Sequence, residues 1–249
     1  MKSRSNTLLI IPAYNEEAAI GSLIDEVRAT VKGLDIAVIN DGSDDATAEV
    51  AVSRGVVVLD LPCNLGVGGA VQAGFQYAYR EGYKYVVRID GDGQHPPAEI
   101  PKLLAELKKH QHDLVIGTRF GTDNEIVSTV FRYAGIKALA LFISSICKTR
   151  VTDPTSGFWA MNRDILGLFA RCYPVDYPEP EAIALLHRQG YSMVEVPVAF
   201  RQRLTGKSSI KSWYTIYFTL KVGLALVIDR IRPVNPMYAK YSAEGKKEE

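Results

Sequence analysis

After six mostly polar residues the chain enters a run in which nearly every side chain is apolar. Thr7-Leu-Leu-Ile-Ile-Pro12 is short, does not alternate, and stops at proline. That is the pattern of a strand covered on both faces, as in a parallel sheet. Comparable runs follow at Ile36–Ile39, Val56–Leu59, Tyr85–Ile89 and Leu114–Thr118. Between them lie stretches with helical spacing: one reaching Val31, one from Thr47, one after the loop Pro62–Gly69 running through Tyr79, and one from Pro97 to Lys109 with proline in its first turn. Asn15 is expected to cap the first helix, with Glu16 and Glu17 complementing its positive end. Strands and helices alternating at this spacing predict an α/β domain, a mostly parallel central sheet flanked by helices.

The pattern changes after Phe120. Gly121–Glu125 is a polar turn, and Val127–Lys148 reads as a helix with an apolar run from Ala138 to Ile143. A strand is expected at Gly157–Met161, helices at Arg163–Ala170 and Glu181–Gln189, and a last strand at Met193–Phe200. Trp213–Ile231 is rich in aromatic and aliphatic residues, but Lys221 interrupts it, and its apolar runs fall short of the ~18 residues a membrane span needs. Residues 200–232 carry seven basic side chains against the single acid Asp229. This reads as a basic, aromatic helix suited to a membrane surface. The expected organisation is a catalytic domain over 1–210, an amphipathic helix for membrane or partner contact over 211–232, and a flexible tail over 233–249.

Composition narrows the function classes. A hydrophobic content of 47% and a charged content of 23% are ordinary for a folded domain, and a net charge of +1 gives no case for nucleic-acid binding. The charges are unevenly placed. Residues 6–100 hold 14 acidic and 6 basic side chains, residues 101–249 hold 14 and 21. An acidic first part suits a metal site and a basic second part an anionic partner. Cys63, Cys147 and Cys172 have no metal or disulfide spacing, and the N-terminus has no signal-peptide core. A cytoplasmic protein is expected.

Candidate chemistry collects where strands end. Tyr14–Glu16, Asp41–Asp45 and Asp90–Gln94 all follow predicted strands, and ligands of parallel sheets bind beyond the carboxyl ends. In Asp90-Gly-Asp92-Gly the two carboxylates are two residues apart and can share a face, while the glycines allow a sharp turn and close approach. Hard carboxylate oxygens there suit a divalent cation that also carries phosphates. Taken alone, such a pair is an acidic turn. Gly66-Val-Gly68-Gly69 fits a dinucleotide fingerprint poorly, because it follows the third strand and has Val71 at its sixth position. His95, His110, His112 and His187 have no metal spacing.

Ile11-Pro-Ala-Tyr-Asn-Glu16, Asn40-Asp-Gly-Ser-Asp44 and Asp90-Gly-Asp-Gly-Gln-His95 occur in that order on successive strand ends. Gly117-Thr-Arg-Phe120, Thr152-Asp-Pro-Thr-Ser-Gly-Phe158, Glu195-Val-Pro197 and Arg203-Leu-Thr-Gly-Lys-Ser208 follow. Over about residues 7–210 the set resembles the inverting family 2 glycosyltransferases, within them the dolichyl-phosphate mannose synthase and polyprenyl-phosphate glycosyltransferase branch. The resemblance implies a GT-A type nucleotide-diphospho-sugar transferase fold. It implies that Pro12, Tyr14 and Glu16 hold the nucleotide and that Asp41 accepts hydrogen bonds from the base. Asp90, Asp92 and Gln94 would bind Mg2+ or Mn2+ with the donor diphosphate, and Arg203 and Lys207 would lie near that diphosphate. Arg119 and Arg132 match a clamp for the acceptor phosphate, and Asp153 a carboxylate near the reacting centre. Asp153 would be the base for a hydroxyl acceptor, or else a cap on the turn before Pro154. Glu181 matches the family acid of the Tyr177-Pro-Glu-Pro-Glu181 segment.

The implied partners are a UDP- or GDP-hexose donor, a polyprenyl phosphate or glycan acceptor, and a membrane surface, with a small membrane-anchoring protein as a further possibility. A peripheral place on the cytoplasmic face of the membrane follows, with docking through Val127–Lys148 and Trp213–Ile231. Two alternatives stay open: the same donor chemistry with a saccharide hydroxyl as acceptor, and a non-catalytic nucleotide-sugar-binding subunit.

Overall fold

A computed structural model describes residues 5–121, 130–201 and 221–227, with side chains from 133 onward in the second segment. The strands are β1 (Thr7–Ala13), β2 (Asp35–Asn40), β3 (Val57–Asp60), β4 (Tyr85–Arg88), β5 (Leu114–Thr118), β6 (Trp159–Asn162) and β7 (Met193–Pro197). The helices are α1 (Glu17–Thr30), α2 (Thr47–Ser53), α3 (Gly66–Arg80), α4 (Ile100–Lys109), α5 (Val130–Cys147), α6 (Arg163–Arg171) and α7 (Pro178–Arg188), and residues 221–227 form a further helical segment. One sheet takes the order β3-β2-β1-β4-β6-β5-β7. Every neighbouring pair is parallel except those of β6, which runs antiparallel to both β4 and β5.

β1 shows why these segments lack alternation. Leu8 and Ile10 point into one hydrophobic cluster, Leu9 and Ile11 into the other, and all four are fully buried. The first cluster takes apolar faces from α3, α5, α6 and α7, the second from α1 and α4. A strand covered on both sides has no solvent face on which to place polar residues. One charged side chain breaks this rule: Arg88, at the end of β4, lies on the first face and is 1% exposed.

Several boundaries differ from expectation. Asn15 does not cap α1; Glu16 takes that place and its carbonyl accepts from Ala19 and Ile20 N–H. Asn15 instead adopts a left-handed φ of 55° and ties the loop to its neighbour, its N–H donating to Ser43 Oγ and its Oδ1 accepting from Asp44 N–H. Caps are shared between α1 and α2: Asp45 accepts from Glu17 N–H and Thr47 N–H, while Glu17 accepts from Ala46 N–H. α3 begins at Gly66, inside the glycine cluster assigned to a loop, and α7 begins at Pro178 rather than Glu181. β6 and β7 are shorter than expected, because pairing with β5 ends as the chain turns into the site. The expected helix over Val127–Lys148 is described from Val130 onward, and the expected helix over 211–232 lies outside the described residues apart from 221–227.

Gly42 illustrates how tightly the site loops are packed. Its φ is +64°, and a β-carbon there would lie 2.6 Å from the Cys63 carbonyl carbon. Gly42→Ala is expected to cost about 2 kcal/mol, lowering Tm by roughly 4–8 °C. Gly33→Ala, with a φ of +76° but open space around it, should cost only the backbone strain, about 1 kcal/mol. Thermal melts of the two variants check the difference.

Candidate active site

The carboxyl end of β1 organises the site. Pro12 offers no N–H to extend the ladder towards β4, whose pairing stops at Arg88. The Pro12 carbonyl accepts from Gly91 N–H at 3.2 Å, and the next carbonyl, Ala13, accepts from Asp41 N–H at 2.9 Å. The two acidic loops are thereby held on either side of β1. Glycine eases this approach, since a β-carbon at Gly91 would lie a tight 3.1 Å from the Pro12 oxygen. Tyr14 is exposed at the rim and Glu16 half-buried, its N–H donating to Thr47 Oγ1 at 2.8 Å. Asp41 is buried, and its Oδ1 accepts from Leu65 N–H at the start of α3. Burial pushes the Asp41 carboxyl above the ordinary carboxylate range, opposed by the N–H groups it accepts from.

The loop after β4 is shaped by its own side chains. Asp90 N–H donates to His95 Nδ1 at 3.0 Å, and Gln94 N–H donates to Asp92 Oδ1 at 3.0 Å. His95 is buried between the rings of Phe158 and Phe200, and burial lowers its affinity for a proton. A neutral ring with Nδ1 accepting carries its hydrogen on Nε2. The Gln94 carbonyl accepts from Arg201 N–H, which ties the loop to the chain beyond β7. Asp90 is 35% exposed while Asp92 is 5% exposed.

A second polar centre lies beyond β5. Asp153, wholly buried, accepts from both Arg119 Nε at 2.7 Å and Arg119 N–H at 3.2 Å, with Thr155 Oγ1 donating to its other oxygen. Glu195 on β7 holds this loop from below, accepting from Thr152 N–H, Thr152 Oγ1 and Asp153 N–H. The Arg119 guanidinium lies 5.1 Å from the Phe200 ring centre, and the His95 ring meets the same ring edge-on at 5.0 Å. Phe200 therefore joins the Asp90–His95 loop to the Arg119–Asp153 pair.

The donor set fits a divalent cation of a particular kind. Among the described residues no three acidic, histidine or cysteine side chains gather as a self-sufficient metal cage. Two hard carboxylates at a strand end match a cation completed by substrate phosphates and water, as Mg2+ and Mn2+ are. Asp90, Asp92 and Gln94 are the residues that would hold it.

The structure brings Pro12, Tyr14, Glu16, Asp41, Asp90, Asp92 and Gln94 to one edge, with Arg119 and Asp153 linked to it through Phe200. The Arg132 side chain, Arg203 and Lys207 lie outside the described residues. Sequence reasoning missed His95 and Glu195 as organisers of the two loops. It also missed Glu179, which meets Asp90 across Arg88. An arginine two residues before Asp90 in an otherwise apolar strand was the available signal, because that spacing puts both on one face.

The sheet order and the acidic loops on one edge are those of a GT-A type fold. A solved glucosyl-3-phosphoglycerate synthase from Mycobacterium tuberculosis, crystallised with Mn2+, UDP and phosphoglyceric acid, superposes with a TM-score of 0.68 at 23% identity, covering 94% of this chain and 80% of that one. The model of glycosyl transferase family 2 matches residues 8–168, and the chain belongs to that family. An undecaprenyl-phosphate mannosyltransferase of Micrococcus luteus is 31% identical over 82% of this chain and 86% of its own length. A polyprenol monophosphomannose synthase of Mycolicibacterium smegmatis is 28% identical over 84% and 83%. A dolichyl-phosphate hexose transferase of Haloferax volcanii is 32% identical over 78% and 82%.

Asp153→Ala strands the Arg119 charge in a largely buried place, so it is expected to destabilise by about 3–5 kcal/mol in urea unfolding. Arg54→Ala, which breaks an exposed pair with Asp25, should cost under ~1 kcal/mol by the same measurement.

Proposed function

We propose that this glycosyltransferase moves a hexose from a UDP- or GDP-sugar to a polyprenyl phosphate at the cytoplasmic face of a membrane, with Mg2+ or Mn2+ as cofactor. The observation that carries the proposal is the junction at Phe200. A loop suited to a metal and diphosphate meets a buried arginine there, in a chain whose relatives are named for polyprenyl-phosphate acceptors.

In this proposal Pro12, Tyr14 and Glu16 line the nucleotide, Asp41 receives the N–H groups of the base, and Asp90, Asp92 and Gln94 carry the cation. When bound, the cation neutralises charge building on the departing nucleoside diphosphate. Arg203 and Lys207 would add positive charge to the same group. Arg119 and Arg132 orient the acceptor phosphate for attack on the anomeric carbon from the face opposite the leaving group. That phosphate is already ionised, so no strong base is required. Asp153 supports this choice over a saccharide hydroxyl acceptor: its carboxylate is wholly buried and taken up by Arg119, so it serves to fix the guanidinium. The pairing of Asp90 with Asp92 disfavours a non-catalytic binding subunit, which has no need of a metal-diphosphate site.

The outer surface of α5 supports the membrane part of the proposal. Val222 and Leu226 of the helical segment 221–227 are buried in the core, and Gly223 lies against Phe142 of α5. Leu141, Leu224 and Val227 nevertheless face solvent at 73%, 60% and 41% exposure. No helix among the described residues is long and apolar enough to cross a membrane. An apolar surface of this kind is suited to lying on a bilayer.

Two measurements test the proposal. With a panel of UDP- and GDP-sugars and polyprenyl phosphate, Asp92→Asn is expected to reduce transfer roughly 10²–10³-fold, the loss of several kcal/mol of charge stabilisation. Undiminished transfer would remove the metal assignment. In vesicle flotation with anionic lipid, Leu141→Glu combined with Leu224→Glu is expected to weaken binding by at least about tenfold. Equal flotation of wild type and variant would rule this surface out.

A further inference from the structure

Arg88 is the most deeply buried positive charge near the site among the described residues and has no part in the chemistry above. Its side chain is 1% exposed, yet its Nε finds no partner, and neither does the Nε1 of Trp159, the residue paired with it across β4 and β6. The guanidinium lies 5.9 Å from the Trp159 ring centre. Its Nη1 donates to Tyr173 Oη at 3.1 Å. Its Nη2 is shared between two carboxylates, Glu179 Oε1 at 2.8 Å and Asp90 Oδ1 at 3.2 Å. Gly157 closes the remaining side, where a β-carbon would lie 2.9 Å from each Asp90 oxygen and 3.0 Å from Nη2.

A buried guanidinium with an orphaned N–H is a costly way to fill a core, and an apolar residue of similar size is often neutral or better for stability. Stability therefore does not account for an arginine here. Its geometry does. A planar fork holds direction in a way an ammonium cannot. Arg88 is fixed on one side by Tyr173 and Glu179, and it presents one N–H to a single oxygen of Asp90. We infer that Arg88 and Glu179 are positioning residues: the fork, anchored on α7, sets the rotation of the Asp90 carboxylate and so its readiness for a divalent cation. Glu179 is needed because it draws Nη2 partly away from Asp90. Without it the guanidinium would pair wholly with Asp90 and compete with the metal. This inference rests on the donor-site part of the proposed function and is independent of the acceptor.

The test separates geometry from charge. Arg88→Lys keeps the charge and loses the fork. Arg88→Met combined with Glu179→Gln removes one positive and one negative charge together, so the local net charge is unchanged. The readout is Mn2+ affinity in the presence of UDP or of GDP, from the free-ion electron paramagnetic resonance signal, alongside a thermal melt of the metal-free protein. The expected result is roughly tenfold weaker Mn2+ binding in both variants with Tm close to wild type, an effect that a purely structural role would not produce. Wild-type Mn2+ affinity in either folded variant overturns the inference, and if one variant does not fold the other decides. A wild-type protein that binds no Mn2+ with either nucleotide overturns the donor site and this inference together. One that binds Mn2+ but transfers nothing to polyprenyl phosphate overturns the acceptor assignment alone.

Discussion

The carbonyls of Pro12 and Ala13, adjacent at the end of β1, point to opposite neighbours, and each receives a backbone N–H from an acidic loop, Gly91 on one side and Asp41 on the other. Everything at the site depends on this pair. A parallel ladder sets its partners by register, and a slip of one residue would turn every side chain of β1 to the other face. The buried alternation of Leu8 and Ile10 against Leu9 and Ile11 makes such a slip prohibitive. Core packing on both faces of one strand is therefore what places two carboxylate loops opposite each other at the sheet edge.

Around that edge the charges are contained in pairs. Arg88 meets Glu179 and Asp90, and Arg119 meets Asp153. Each arginine stands beside an aromatic ring, Trp159 or Phe200, that excludes water. In such surroundings a guanidinium can be held in one orientation, which loose surface pairs such as Arg54 with Asp25 cannot achieve. β6, the strand antiparallel to both neighbours, makes the arrangement possible. It brings Gly157 and Phe158 back towards the site between β4 and β5, so that Gly157 meets Asp90 and Arg88 while Phe158 stacks on His95.

The opposite side of α5 obeys a different constraint. Its inward residues Leu139 and Ile143 share a buried cluster with Ile183 of α7 and with Val222 and Leu226, while Leu141 and Leu224 remain in solvent. A helix apolar on both sides carries more apolar surface than burial against the core requires.

Local pattern determined most of the architecture. Continuous apolar runs ending in proline, glycine and acid are enough to specify buried parallel strands, and the position of Asp41, Asp90 and Asp92 just beyond those runs is enough to place them at the carboxyl edge. The family motifs were legible for the same reason: each is a strand end, read from neighbours in sequence. What the chain alone did not reveal depends on residues distant in sequence. Asn15 looks like a helix cap until Ser43 and Asp44 claim it. Asp153 reads as a base or as a turn cap in the sequence, and only the fold shows that it accepts from Arg119. Arg88 looks like a stray charge in a strand until Glu179, ninety-one residues later, shares its fork with Asp90. Hydrophobic periodicity reports burial one residue at a time, whereas a buried charge finds its partner only when the sheet has closed. The sequence determined which carboxylates reach the site, and the tertiary structure decided how they are held.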